Sequence, residues 1–102
     1  KKEILFSTYL CHPSMANNEI SGIVVATNLA KWLMKQKFKY TYRILFLPET
    51  IGSIAYLSKK KDFLIKKTIA GYVLTCIGDN RNFSLLESKN KNSLSNIVAK
   101  FV

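Results

Sequence analysis

The stretch Ile4-Leu5-Phe6-Ser7-Thr8-Tyr9-Leu10, broken at once by Cys11-His12-Pro13-Ser14, decides the fold. It is a short apolar run with β-branched and aromatic members, which reads as a strand buried on both faces. Pro13 ends it, because proline cannot donate to a strand ladder and holds His12 extended. Loop continues through Met15-Ala16-Asn17-Asn18, where Asn17 or Asn18 is a natural helix N-cap. A helix then spans about 19–37. Ile23, Ala26, Ala30 and Leu33 form its apolar stripe, with Asn28, Lys31 and Lys35 on the opposite face. Trp32 reads as a core or rim anchor. Gly22 in the first turn lowers helix propensity, which implies that something packs or binds close to the backbone there.

The same alternation repeats outward. Residues 40–47 give a second strand, closed by Pro48-Glu49-Thr50. Thr50 is positioned to cap a second helix with apolar positions Ile51, Ile54, Leu57 and Leu64. Residues 68–77 give a third strand, followed by the turn-rich Gly78-Asp79-Asn80-Arg81-Asn82. Residues 83–86 suggest a short extra strand, and Ser93 a cap for a last helix running past Val102. Strands alternating with helices imply an α/β fold, a three-layer α/β/α arrangement whose sheet is mostly parallel and covered on both faces. Crossovers are expected to be right-handed. Residues 1–102 read as part of a single larger domain. Lys1-Lys2-Glu3 runs straight into the first strand, and the apolar pattern is still running at Val102.

Composition narrows the function classes. Hydrophobic residues make up 48%, enough for a packed core, and the formal net charge is +10. That charge raises nucleic acid or another anionic partner. Arg43 and Arg81 are the only arginines, however, and abundant Lys suits solvated faces better than a recognition surface. Nucleic-acid binding is therefore set aside. No apolar run reaches the length of a membrane span. Cys11 and Cys76 form no CxxC pair and read as buried free thiols of a reducing compartment, which points to a cytoplasmic setting.

The chemistry-bearing residues gather after the strands. His12 follows the first strand, Glu49 the second and Asp79 the third, while Glu19 opens the first helix. In open α/β sheets, ligands bind outside the carboxyl ends of the strands. A metal-activated water needs a few N and O ligands and a carboxylate base. His12, Asp79 and a residue at the helix start could be ligands, and Glu49 the base. Each residue also has a structural role open to it. His12 can be a satisfied loop residue, and Glu19 can answer the helix dipole. Asp79 suits a turn, and Glu49 can accept backbone N–H groups of the helix it precedes. Glu3, Asp62 and Glu87 read as surface charges.

Two long motifs then add a resemblance. Residues 11–22, Cys-His-Pro-Ser-Met-Ala-Asn-Asn-Glu-Ile-Ser-Gly, and residues 48–57, Pro-Glu-Thr-Ile-Gly-Ser-Ile-Ala-Tyr-Leu, are similar to a bacterial family with an aminopeptidase-like domain. Cys76-Ile77-Gly78-Asp79 is similar to its next motif. Some members are linked by name to polysaccharide biosynthesis. That family resembles the M28 zinc aminopeptidases, which have a mixed sheet between helices and hydrolyse an N-terminal peptide bond with two zinc ions. The resemblance implies His12 as a zinc ligand, Glu49 as the catalytic base and Ser21-Gly22 at the substrate. It puts Asn18 where a bridging Asp would stand, with Glu19 one residue later. Ser14 stands at the orienting Asp, and Thr50 replaces a ligand Glu. An Asp ligand is expected near Thr75, and Asp79 is the nearest carboxylate. A final His ligand would lie beyond Val102. These departures favour one zinc ion over two, held by His12, Asn18, Glu19 and Asp79. The implied reaction is hydrolysis of an amide in a small peptide or an amino-sugar derivative. The alternative is a catalytically degenerate relative that binds a peptide or glycan. Nothing in the sequence sets the oligomeric state.

Overall fold

The computed structural model describes residues 1–12, 14–82 and 84–101. Strands β1 (Glu3–Tyr9), β2 (Thr41–Leu47) and β3 (Thr68–Val73) form one parallel sheet in the order β2-β1-β3. Helix α1 (Ser21–Leu33) links β1 to β2, α2 (Ile51–Lys67) links β2 to β3, and α3 (Leu94–Lys100) follows. The fold is α/β, as the alternation implies. Among the described residues every strand pairing is parallel, and no antiparallel strand joins the sheet.

Side-chain alternation assigns the layers. Tyr42 and Ile44 line a hollow of about 390 Å³ with Ala30 and Leu33, so α1 covers that face of β2. Arg43 points the other way and stacks on Phe63 of α2, 5.0 Å from its ring centroid. The two crossovers therefore leave the sheet on opposite faces and in opposite directions, which gives them the same hand. On the α1 face, Phe6 stacks with Tyr42 and Tyr72, and Phe38 bridges Tyr42 to Trp32. Trp32 is a half-exposed rim residue of this aromatic row. Along the open edge of β3, Ser95 of α3 accepts the Gly71 N–H at 2.9 Å, so α3 satisfies part of an edge that would otherwise present unpaired groups.

Several sequence expectations are corrected. β1 is only half-buried along most of its length, and among the described residues the buried apolar side chains are Ala26, Leu64 and Ala70. Ile51, Ile54 and Leu57 of the predicted α2 stripe are exposed, and Leu64 alone is buried. Glu3 is not a surface charge. It is 3% exposed, takes two 3.0 Å bonds from Arg43, and accepts from Thr68. One carboxylate thus ties all three strands at their amino ends. β3 stops at Val73 rather than 77, although Leu74 N–H still reaches Ser7 O. Residues 84–86 carry no strand, and Phe83 lies outside the described residues. Ser93 caps α3 through the Asn96 N–H, but that helix ends at Lys100.

The first helix departs most. It ends at Leu33, not 37, and it starts in a wider coil: residues Ala16–Ile20 form a π-helical turn leading into α1. Met15 holds the cap position without a side-chain bond, so neither Asn17 nor Asn18 is an N-cap. Both lie inside the π turn, where their side chains serve another purpose.

Candidate active site

The strand order places a topological switch at β1. One connection leaves toward β2 and the next crosses to the far side at β3, the arrangement beside which α/β sheets bind ligands beyond the carboxyl ends of their strands. The π turn lies at this end of the sheet. Gly22 explains how closely it is held: a Cβ there would collide with Thr8 Oγ1 and the Leu74 carbonyl. What packs against the Gly22 backbone is thus the sheet itself, and Thr8 Oγ1 donates to Leu74 O at 2.9 Å on the same seam.

From this seat the π turn fastens the loop after β3. Asn17 Oδ1 accepts from Gly78 N at 2.8 Å, and the Thr75 hydroxyl donates to Asn18 O at 3.2 Å. Ser21 Oγ donates to Asn17 O and accepts from Ile77 N. Asn18 Nδ2 lies 3.7 Å from Cys76 Sγ. Asn18 and Ser21, read from the sequence as metal and substrate residues, are thus engaged in joining loops. Cys76 has a positive φ of 52° and an exposed side chain, so the expectation of two buried thiols fails for it.

The other side of the π turn carries the chemistry. Glu19 is 2% exposed, and its Oε2 accepts the Cys11 N–H at 3.1 Å. Its Oε1 is buried and has no hydrogen-bond partner. Cys11 Sγ in turn lies against the Glu49 N–H, which is directed at it. Ligand atoms of Cys11, Glu19 and Glu49 all lie within 4.8 Å of one another. His12 Nε2 stands 4.0 Å from Glu49 Oε2, with both side chains about half-exposed. A buried carboxylate, a thiol and a second carboxylate therefore meet where the loops after β1 and β2 face the π turn, with the His12 imidazole standing beside Glu49 at the margin of that group. The restraint that Pro13 was expected to place on His12 lies outside the described residues.

Backbone strain aims Glu49. Thr50 has φ 55° and ψ −68°, and Ile51 N–H bonds back to Glu49 O. That is the tight γ-turn, rare and strained for a β-branched residue. Thr50 makes no side-chain cap, which corrects the expected capping role. The turn lets the chain leave β2 and enter α2 within three residues, keeping the Glu49 carboxylate at the sheet edge. Gly52 makes the sharp entry possible, since a Cβ there would lie 2.7 Å from Pro48 Cδ.

Asp79 sits apart from this group. Its Oδ1 takes the Arg81 N–H at 2.9 Å and lies 3.4 Å from Arg81 Nε. It faces a cleft of about 830 Å³ lined also by Asn17, Thr75, Cys76 and Asn96. The residue the sequence reading passed over is Cys11. No spacing rule signals it, because its partners come from 8 and 38 residues away.

The whole chain, residues 1–102, matches the family described as "Domain of unknown function (DUF4910)". The chain belongs to this DUF4910 family. It is 54% identical over 79 residues to a Clostridium acetobutylicum protein named "Putative polysaccharide biosynthesis protein with aminopeptidase-like domain", covering 78% of this chain and 18% of that protein. It is also similar to a crystal structure, at 2.37 Å resolution, of a "putative peptidase" from Clostridium acetobutylicum. That match has a TM-score of 0.75 and 54% identity, over 78% of this chain and 19% of the other. The DUF4910 chain thus spans about a fifth of the length of these relatives. Their names place it beside aminopeptidase-like and peptidase-like domains.

Proposed function

We propose that this DUF4910 chain carries part of the active site of a zinc-dependent, aminopeptidase-like hydrolase that cleaves an amide bond. The observation that carries the reading is Glu49, held at the sheet edge 4.0 Å from His12 and grouped with buried Glu19. The donor set fits a cation. Glu19 Oε1 is buried without a partner, and leaving a carboxylate oxygen so costs free energy unless something positive faces it.

His12 and Glu19 would hold zinc, an oxygen and nitrogen set suited to that ion. Asn18 and Asp79, the other ligands implied by the resemblance, would join only by leaving Cys76 and Arg81. Bound zinc supplies Lewis acidity to the scissile carbonyl and makes water a better nucleophile. Glu49 takes the proton from the attacking water and delivers it to the leaving amine. The hydrogen bond from its backbone N–H to Cys11 Sγ and the γ-turn at Thr50 fix the backbone from which the carboxylate projects. The substrate class is a small peptide or an amino-sugar amide, the latter in keeping with the Clostridium acetobutylicum relative's name.

Glu49→Gln tests the assignment. Amidase activity should fall by about 100-fold or more, the range of a lost acid–base group, with zinc content unchanged. Undiminished hydrolysis would remove Glu49 from the role. A second reading has its own observation: Asn18 is turned onto a sulfur, and Thr50 stands where the resemblance expects a ligand Glu. It is a degenerate relative that binds peptide or glycan without turnover, and its sign would be ligand binding indifferent to chelator.

A further inference from the structure

We propose that Cys11 is itself a ligand of the cation, as a thiolate, so that sulfur joins the nitrogen and oxygen donors of the site. This rests on the metal-dependent reading above and deepens it. Two independent observations carry it. The first is proximity: Cys11 Sγ and carboxylate oxygens of Glu19 and Glu49 lie within 4.8 Å of one another. A four-coordinate zinc holds sulfur and oxygen ligands roughly 3.3–3.8 Å apart, so small side-chain rotations bring Cys11 Sγ and a Glu19 oxygen to that spacing, with the Glu49 carboxylate beside them. The second is the orphaned Glu19 Oε1, 2% exposed as a residue and without a partner, on a carboxylate whose other oxygen already holds the Cys11 backbone.

The surroundings suit the sulfur to this task. The Glu49 N–H donates to Sγ, so the thiol side chain already acts as an acceptor, and a bond of this type orients a metal-bound sulfur from outside the coordination sphere. Glu49 is then fixed to the ligand through its backbone, while its carboxylate stays free as base. Binding releases the Cys11 thiol proton to solvent and leaves the sulfur–metal bond in its place. A thiolate selects borderline-soft ions such as zinc and cobalt over magnesium and calcium.

The test titrates the whole protein with cobalt(II), which reports a thiolate ligand by a near-ultraviolet sulfur-to-cobalt charge-transfer band. The expected result is that band at one equivalent, its loss in Cys11→Ser, and zinc affinity weakened in that variant by more than the roughly 10- to 100-fold typical of an outer-shell change. Cobalt bound without the band, together with unchanged zinc affinity in Cys11→Ser, would overturn the thiolate ligand and leave the hydrolase reading standing. No cobalt or zinc bound at all would overturn both. The wild-type band needs no variant, so poor folding of Cys11→Ser leaves the test intact. Glu19→Gln should lose cation affinity while Glu49→Gln keeps the band.

Discussion

Thr50 shows how much the site asks of a single residue. Its φ of 55° belongs to glycine's territory, yet the position carries a β-branched side chain. Such strain costs on the order of 1–3 kcal/mol and persists where the surroundings enforce it. Thr50→Gly should therefore raise thermal stability, by roughly 1 kcal/mol once glycine's entropy is set against the relief. It should also lower amidase activity, because a freer turn lets Glu49 wander. A calorimetric comparison checks the first part, and a destabilised variant would mean the turn is not strained. This strain could not be read in Pro-Glu-Thr, where Thr50 looked like an ordinary cap. A γ-turn is set by the distance from the end of β2 to the start of α2, which local residue types do not encode. Cys11 was hidden for a related reason, since its partners converge only after folding.

At the scale of elements, apolar periodicity was enough for β1, β2 and β3 and for α1, whose Ala26 is buried while Lys31 stays exposed. It failed at the element ends. A π turn and an α-helix share nearly the same pattern over five residues, so the start of α1 was read as a capped α-helix. The difference matters, because the wider turn buries Glu19 and sends Asn17 and Ser21 to the loop after β3. Glu3 was misread for the opposite reason: a charge beside Lys1 and Lys2 looks solvated until Arg43 and Thr68 arrive from other strands. The hydrogen bond from Arg43, with its charge, holds the Glu3 carboxyl below its ordinary value of 4.5. A depressed carboxyl stabilises the fold above its unfolded pKa, and that contribution is lost as pH falls through the folded one. Glu3→Gln should thus cost roughly 2–3 kcal/mol at neutral pH. The gap from wild type should narrow as pH falls below the carboxyl's ordinary value and close once it passes the depressed one. Denaturant melts at several pH values measure this, and a gap that widened in acid would contradict the strand-clamp role.

For the whole molecule, the alternation of strands and helices carried the α/β class and the parallel sheet. The polar edge to which His12, Glu19 and Glu49 come follows from the same order. The extent of burial was not legible. Apolar positions were expected inside, yet Ile51, Ile54 and Leu57 face outward and the radius of gyration is 13.9 Å, slightly above the ~13 Å usual for this length. Periodicity says which face of a helix is apolar, not what covers it. The +10 charge lies largely on exposed lysines, including Lys59, Lys60 and Lys61 of α2, away from the candidate site.

The central claim is that an imidazole and a buried carboxylate hold one cation beside Glu49. Anomalous diffraction at the zinc edge, from crystals of the whole protein grown with zinc, tests it most directly. The account predicts a peak within bonding distance of His12 and Glu19, with the Glu49 carboxylate facing it. Zinc located elsewhere, with Glu19 Oε1 still unpartnered, would contradict it.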